Sequence, residues 1–204
     1  MPASAPLETP RILQLQGVAA PGGQPLDLAL GRGDAVALIA PGGAGKRWLL
    51  RVAAGLRHAP SGSVRCDASR IAYVFSSGGL LANLSIAENI VLPLCFAGVP
   101  PAAARARATD VLAGLGLDSV GDVRPGGLAV EACQLVQVAR AIALNADLLF
   151  LEEPFRLLSR ATAEEVAEWL RSELDARRIT VLMTASDVVD ADRIGARVLR
   201  LGDA

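Results

Sequence analysis

The stretch Asp34-Ala-Val-Ala-Leu-Ile-Ala40, followed by Pro41-Gly42-Gly43-Ala44-Gly45-Lys46, decides the fold of this chain. An apolar run of strand length enters a glycine-rich turn that ends in Lys46, the only lysine among twenty Lys and Arg residues. Such a turn between a buried strand and a helix aims several backbone N–H groups and one ammonium at the phosphates of a nucleotide. The sequence therefore predicts a phosphate-binding turn that leads into a helix.

The two residues after the lysine depart from the pattern G-x-x-x-x-G-K-[ST]. The pattern needs a hydroxyl there to hold Mg²⁺, and this chain has Arg47 and then Trp48. A guanidinium brings positive charge to the same place, but it donates hydrogen bonds and ligates no metal. One interpretation is cofactor binding by residues 41–48 without a metal. The alternative is that Arg47 pairs with Glu152 or Glu153 while Trp48 packs its ring against the sheet.

Composition limits the class of protein. The length of 204 residues allows one full core, and a net charge of −1 without long runs of one sign argues against a nucleic-acid partner. The longest uncharged stretch after Glu88, Asn89–Ala104, contains three prolines and is too short to cross a bilayer. The N-terminus has no secretory pattern, and Cys66, Cys95 and Cys133 lack metal-ligand spacing. We therefore predict a cytoplasmic protein with reduced, mostly buried thiols.

Apolar runs of strand length alternate with helical stretches along the chain. The predicted strands are Ile12–Leu15, Ala35–Ala40, Ile71–Phe75, Leu148–Leu151, Ile179–Thr184 and Val198–Leu201. The predicted helices are Arg47–Leu56, Pro101–Leu115, Ala132–Leu144, and one capped by Thr162 with Glu165 that runs to about Arg177 with Trp169 facing inward. This alternation predicts a parallel α/β sheet covered on both faces.

The region between residues 79 and 145 differs from the rest because it contains two or three predicted helices and no convincing strand. We interpret it as a helical subdomain inserted into the α/β core. The predicted organisation is a single domain, with the core formed by residues 1–78 and 146–204.

The order of these segments resembles the ATP-binding cassette of ABC transporters over nearly the whole chain. The glycine-rich turn with Leu49-Leu50-Arg51 is similar to the Walker A segment and its helix. Ala139-Arg140-Ala141 and the later run Leu148-Leu-Phe-Leu-Glu152-Glu153-Pro154 are similar to the helix after the family signature and to the Walker B strand. Within the family, Phe75–Leu80 and Leu84–Leu94 look most like the Mla/Mce branch, which transports phospholipids.

The resemblance implies a P-loop NTPase-like parallel sheet with an inserted helical subdomain. It implies ATP as the ligand, a transmembrane permease docked on the helical subdomain near Ser76–Asn83 and Pro93–Pro101, and a dimer with an identical or a different cassette. The location implied is peripheral, on the inner face of the cell membrane. Glu153 matches the catalytic general base, and Glu152 replaces the metal-binding aspartate with a side chain one methylene longer.

Other positions that the resemblance assigns to catalysis have lost the required chemistry. Ser76 stands where the family has a metal-binding Gln, and Ser186 replaces the switch histidine. Leu128-Ala129-Val130-Glu131 replaces the Leu-Ser-Gly-Gly signature, so Glu131 would face a partner's γ-phosphate and repel it by roughly 3 kcal/mol at 5 Å. The alternative for Glu131 is an ordinary acid at a helix N-terminus.

Two functional hypotheses follow. The first is a degenerate pseudo-ATPase, a structural or regulatory partner of a membrane permease in which ATP binds weakly and Mg²⁺ binding is doubtful. The second is an active ATPase that energises a transporter through Lys46 and Glu153 with altered metal coordination.

Overall fold

Two sheets of different type form the centre of the protein. In the computed structural model, which describes residues 11–40 and 44–202, the strands are β1 (Arg11–Val18), β2 (Leu26–Gly31), β3 (Ala35–Ile39), β4 (Ser63–Cys66), β5 (Ile71–Val74), β6 (Leu148–Glu152), β7 (Thr180–Thr184) and β8 (Arg197–Arg200). The larger sheet has the order β5-β6-β7-β3-β8, and every neighbouring pair in it is parallel. The predicted parallel α/β core is confirmed.

The smaller sheet corrects the sequence-based prediction. It is antiparallel, with the order β2-β1-β4. The sequence predicts only β1 among these strands and assigns it to the parallel sheet. β2 has two buried residues among six, and β4 has four residues of which none is buried. Neither strand therefore carries the continuous apolar run that made the other strands recognisable.

The four helices with predicted ranges are present in the predicted order, and the described residues contain two further α-helices. The six are α1 (Ala44–Ala53), α2 (Ile86–Phe96), α3 (Pro101–Gly114), α4 (Val130–Ala143), α5 (Arg160–Arg177) and α6 (Val188–Arg193), with short 3-10 helices at Asp118–Val120 and Pro125–Gly127. Residues 79–145 are fully described and contain α2, α3 and α4 without a strand. The limits of a helical subdomain at residues 79 and 145 stay a prediction.

Two hydrophobic clusters cover the two faces of the parallel sheet. Leu149 and Leu151 of β6 belong to a cluster that includes Ile90 of α2 and continues through the helices between residues 79 and 145. Phe150, which points the opposite way along the same strand, belongs to a second cluster with Leu50 of α1 and with the antiparallel sheet. The strand is apolar at successive positions because both of its faces are buried.

The start of α5 differs from the predicted capping box. The cap is Ser159, whose Oγ accepts a hydrogen bond from the Thr162 N–H at 3.2 Å and lies 2.8 Å from the Thr162 hydroxyl. The helix therefore begins at Arg160 instead of after Thr162, because Ser159 satisfies the free N–H groups of the first turn. Trp169 is half-buried against the cluster that contains α2, as its predicted inward orientation requires.

The remaining expectations concern thiols and membrane spans. Cys66, Cys95 and Cys133 are free, as predicted, but they are half-buried instead of mostly buried. None of the helices within residues 11–40 and 44–202 combines the length and the apolar character that a membrane span needs.

We predict that Asp147, at the entrance to β6, contributes a pH-dependent part of the stability. Its carboxylate accepts hydrogen bonds from the N–H groups of Ser69 and Arg70, both at 3.0 Å, and lies 3.3 Å from Arg32. Burial raises the pKa of Asp147, but the hydrogen bonds outweigh burial and hold the pKa below its usual value. A lowered pKa in the folded state means that the stabilisation is complete above the unfolded pKa and is lost as the pH falls through the folded one.

The test is urea denaturation of Asp147→Ala between pH 3 and pH 7. The variant should lose about 1 kcal/mol at pH 7, and the difference from the wild type should shrink toward pH 3. Asp110→Ala, at an exposed position on α3, serves as the control and should change little. A difference that stays constant with pH would contradict the role assigned to the carboxylate.

Candidate functional site

The candidate site lies where four parallel strands end. The carboxyl ends of β3, β5, β6 and β7 share one edge of the sheet, since these strands are neighbours in parallel register. α1 begins five residues after β3, while Glu152 is the last residue of β6 and pairs with Thr184 at the end of β7. This edge therefore brings the predicted cations of α1 to the predicted carboxylates after β6.

Glu152 is the most heavily engaged side chain of the site. It is completely buried, and its carboxylate accepts hydrogen bonds from the Tyr73 hydroxyl at 2.8 Å and the Ser76 hydroxyl at 2.9 Å. Arg51 reaches both carboxylate oxygens through Nη2 at 3.1 Å, and Arg47 Nε lies 2.8 Å from Oε1. Two guanidiniums and two hydroxyls thus surround one buried carboxylate, as a buried charge requires.

This arrangement shifts the pKa values of two side chains, Tyr73 and Arg51. Burial raises the pKa of Tyr73, and the neighbouring Glu152 carboxylate raises it further, so the phenol stays protonated and donates its hydrogen bond. Burial alone would lower the pKa of Arg51, but the hydrogen bonds with Tyr73 and Glu152 outweigh burial and raise it. Both shifts favour the same pairing of a neutral phenol, a guanidinium and a carboxylate.

Lys46 and Glu153 form the second pair of the site. Lys46 is only 4% exposed, and its Nζ lies 3.0 Å from Glu153 Oε1 and 2.7 Å from the carbonyl oxygen of Ala185. Glu153 has a left-handed backbone with φ of 46°, and its N–H donates to the Thr184 hydroxyl at 3.1 Å. These bonds hold the residue in a conformation that a non-glycine residue adopts at a cost.

Two further arginines contact Glu153 from different elements. Arg156, in the turn after β6, places Nε 3.0 Å from Glu153 Oε2, and Arg47 places Nη2 3.9 Å from the same oxygen. The Ser186 hydroxyl lies 3.5 Å from Oε1. Glu153 thus links the helix after the glycine-rich turn to the loops after β6 and β7.

The structure describes part of the predicted cofactor segment. Pro41, Gly42 and Gly43 lie outside the described residues, and only the backbone of Ala44 is described. Gly45 and Lys46 lie in the first turn of α1, and Trp48 is half-buried against the cluster that contains the antiparallel sheet. The alternative in which Arg47 pairs with Glu152 or Glu153 is confirmed, since Arg47 contacts both carboxylates.

Two of the substituted positions enter the same site, and a third does not. Ser76 and Ser186 contact Glu152 and Glu153, respectively. Glu131 lies in the first turn of α4 and is exposed, a place open both to an acid at a helix N-terminus and to a residue that faces a partner cassette.

Sequence reasoning missed three residues of the site: Arg51, Tyr73 and Arg156. Arg51 follows Arg47 by four residues on the same helix, so the two side chains share a face, and this spacing was a usable signal. Tyr73 lies on β5, next to β6 in the sheet, and no feature of the sequence predicts which strands are neighbours. Arg156 lies three residues after Glu153, in a turn that no pattern indicated.

Comparison with protein families gives one match across most of the chain. The profile of the family described as ABC transporter matches residues 24–156. A sulfate/thiosulfate import ATP-binding protein CysA of Methylococcus capsulatus is 33% identical over 190 residues, covering 86% of this chain and 55% of that protein. An uncharacterized ABC transporter ATP-binding protein of Mycobacterium tuberculosis is 34% identical over 175 residues, covering 78% of this chain and 53% of that protein. The chain spans about half the length of these relatives.

Solved structures agree on the fold. A dimeric ATP-binding cassette in a post-hydrolysis state with ADP and Pi aligns with a TM-score of 0.83 at 24% identity, over 93% of this chain and 94% of that one. A dimeric bacterial ABC transporter cassette aligns with a TM-score of 0.84, also at 24% identity and with the same coverage.

We predict that removal of the Glu152 carboxylate destabilises the fold although no ligand is involved. Glu152→Ala leaves two guanidiniums, a phenol and a hydroxyl without their common partner. The expected loss is about 2 kcal/mol, below the usual cost of breaking a fully buried pair because both arginines can turn toward solvent. Thermal or urea unfolding measures it.

The matched control is Asp67→Ala, which breaks the exposed pair between Arg65 and Asp67. That change should cost less than about 0.5 kcal/mol, since exposed pairs contribute little. Equal unfolding curves for Glu152→Ala and the wild type would show that the carboxylate does not organise the site.

Proposed function

This chain belongs to the ABC transporter family of ATP-binding cassettes, and we propose that it is a cassette subunit that does not hydrolyse ATP. Members of this family bind ATP, generally with Mg²⁺, dimerise, and associate with a transmembrane permease from the cytoplasmic side. The proposed role is that of a structural or regulatory partner of such a permease, so the location proposed for this chain is the inner face of the cell membrane. A second cassette, identical or different, completes the assembly.

One observation carries the proposal: the Glu152 carboxylate is occupied by the protein itself. It is fully buried and accepts hydrogen bonds or ion pairs from Arg47, Arg51, Tyr73 and Ser76. In the family this position supplies a metal-binding carboxylate. A metal ion at this position would have to compete with two positive charges already in contact with both carboxylate oxygens.

The other positions also fit Mg²⁺ poorly. Mg²⁺ requires oxygen ligands in near-octahedral geometry. Arg47 offers nitrogen donors in place of a hydroxyl, and the Ser76 hydroxyl is bonded to Glu152. Weak, metal-independent nucleotide binding is therefore part of the proposal.

The general-base position supports the same conclusion. Glu153 pairs with Lys46, Arg156 and more distantly with Arg47, so three cations from different segments hold its carboxylate in place. A general base must face the phosphate and accept a proton from water. A carboxylate held in ion pairs with the protein itself is poorly placed for this role. Elements that act as a unit in catalysis fail together, since their effects are not additive.

An active ATPase is the second candidate. The observation that favours it is the contact between Lys46 and Glu153, the two residues that hydrolysis would require, at the same sheet edge. Relatives named as sulfate/thiosulfate import ATP-binding proteins are consistent with this alternative. A lipid, which the Mla/Mce resemblance implies, is the cargo proposed for the partner permease.

The helical subdomain, residues 79–145, is the proposed docking element for the permease. Phe96 at the end of α2 is 85% exposed and Leu81 is 47% exposed, whereas Leu80 is half-buried and Ile86 fully buried against the core. The stretch therefore divides into core residues and exposed apolar residues. The exposed ones are the candidates for contact with a partner.

We predict negligible ATP hydrolysis by the purified chain. Phosphate release in the presence of Mg²⁺ should match that of Glu153→Gln, with and without membranes that contain the permease. Turnover near the ~10 s⁻¹ typical of enzymes, abolished by Glu153→Gln, would favour the active ATPase. The comparison of ATP hydrolysis by the wild type and by Glu153→Gln therefore decides between the two functions.

We predict that Leu81→Asp and Phe96→Asp abolish recovery of the permease. The chain is used as bait for detergent-solubilised membranes of its host, and the permease is identified by mass spectrometry. The control is Val189→Asp on α6, which is 52% exposed and lies outside the docking element. The melting temperatures of all three variants should remain within a few degrees of the wild-type value. Unchanged recovery would contradict the docking site, and loss of folding would assign the residues to the core.

A further inference from the structure

A cleft opens on the protein where one edge of each sheet ends. β4 is an outer strand of the antiparallel sheet and β5 is an outer strand of the parallel sheet, and among the described residues no further strand extends either sheet on these sides. The last turn of α1 and the segment after it complete the wall of the cleft. Its volume of about 430 Å³ is that of sites that hold small organic ligands.

The cleft is separate from the candidate site at the carboxyl edge of the sheet. Ile71, the first residue of β5, lines the cleft, whereas Ser76, which contacts Glu152, follows the other end of that strand. α1 begins at the candidate site and ends at the cleft, and at 1.5 Å per residue its ten residues span about 15 Å. No residue that lines the cleft belongs to the candidate site.

The floor of the cleft is apolar. Ala54, Ala59, Val64 and Cys66 pack against the cluster that contains the antiparallel sheet, and each keeps part of its surface exposed in the cleft. Ile71 is 40% exposed, which is unusual for a large apolar side chain of a strand. A ligand with a hydrocarbon body would cover this surface, and burial of apolar area is a main source of affinity in such sites.

The charged groups of the cleft are of one sign. Arg57 and His58 line it and are exposed, and none of the described residues that line it is acidic. Arg57 forms no ion pair with any residue in the ranges 11–40 and 44–202. The end of α1 does not need these donors, because the N–H groups of Gly55 and Leu56 already bind carbonyls of its last turn. The guanidinium and the imidazole can therefore donate hydrogen bonds to an anion.

We propose that this cleft binds a small carboxylate with a hydrocarbon chain. The chain packs on the apolar floor, and the carboxylate accepts hydrogen bonds from Arg57 and His58. A neutral apolar molecule would leave these donors unused, and a small inorganic anion would leave the floor exposed. The ligand packs on the last turn of α1, so it stabilises the helix whose Arg47 and Arg51 contact Glu152. This inference goes beyond the proposed function and does not depend on it.

The test is the rate at which N-ethylmaleimide alkylates Cys66 in the full chain, with and without sodium octanoate, followed by peptide mass spectrometry. Octanoate should slow alkylation of Cys66 several-fold and leave Cys95 and Cys133, which do not line the cleft, unchanged. Octan-1-ol should protect less, because it carries no charge. From hexanoate to octanoate, the half-protecting concentration should fall by up to about fifteenfold, since each buried methylene contributes about fourfold.

Two variants test the two parts of the site, each compared with its own rate in the absence of octanoate. Arg57→Gln should raise the half-protecting concentration about tenfold, the usual effect of losing a charge-assisted hydrogen bond. Ala54→Phe, which fills the cleft, should abolish the protection. The matched control is Arg65→Gln, next to Cys66 on β4, because Arg65 does not line the cleft and pairs with Asp67. It should change nothing, and melting curves establish that each variant is folded.

Four results would overturn the site: no protection of Cys66, equal slowing at all three cysteines, equal protection by octan-1-ol and octanoate, or equal losses in Arg57→Gln and Arg65→Gln. Protection of Cys66 that grows with protein concentration in the absence of octanoate would assign the cleft to a second copy of the chain and would also overturn it. None of these results depends on ATP hydrolysis, so the proposed function is tested separately.

Discussion

The buried carboxylate of Glu152 is the constraint around which the site is organised. A charge with no exposure to solvent is tolerated only when its partners replace the water that it has lost. Here the partners come from two segments, α1 and the end of β5 with the loop that follows it, and both are distant from Glu152 in sequence. The same carboxylate therefore ties the helix after the glycine-rich turn to the sheet through Arg47 and Arg51.

A ligand of this site must compete with ion pairs that the protein has already formed. In an open site, an incoming phosphate meets cations whose partners are water molecules. In this site it meets cations already paired with Glu152 and Glu153, so only donors that these pairs leave free contribute fully to binding. The affinity of the site for an anion therefore depends on the difference in energy between the ion pairs that form and those that are weakened. A metal ion binds less favourably than an anion, because the surrounding cations repel it.

Much of the architecture could be predicted from local patterns, and the failures have physical causes. The continuous apolar runs revealed β3, β5, β6, β7 and β8 because both faces of this sheet are buried. The antiparallel sheet was largely missed because β2 and β4 are partly exposed and lack a continuous apolar run. The meeting of Lys46 and Arg47 with Glu152 and Glu153 was predictable, since parallel strands end at a common edge. Tyr73 was not predictable, because strand neighbours are a property of topology and not of sequence distance.

The hydrophobic cluster that joins α2, α3 and α4 to the sheet has a consequence for cooperativity. Side chains of these helices and of β5, β6 and β7 form one continuous buried cluster. Helices that share a core with the sheet cannot melt much below it, so we expect the chain to unfold in a single transition. A partner that binds only the exposed end of α2 would then raise the melting temperature of the whole chain, including the distant sheet edge, by mass action alone. A raised melting temperature is therefore no evidence that a ligand occupies the sheet edge.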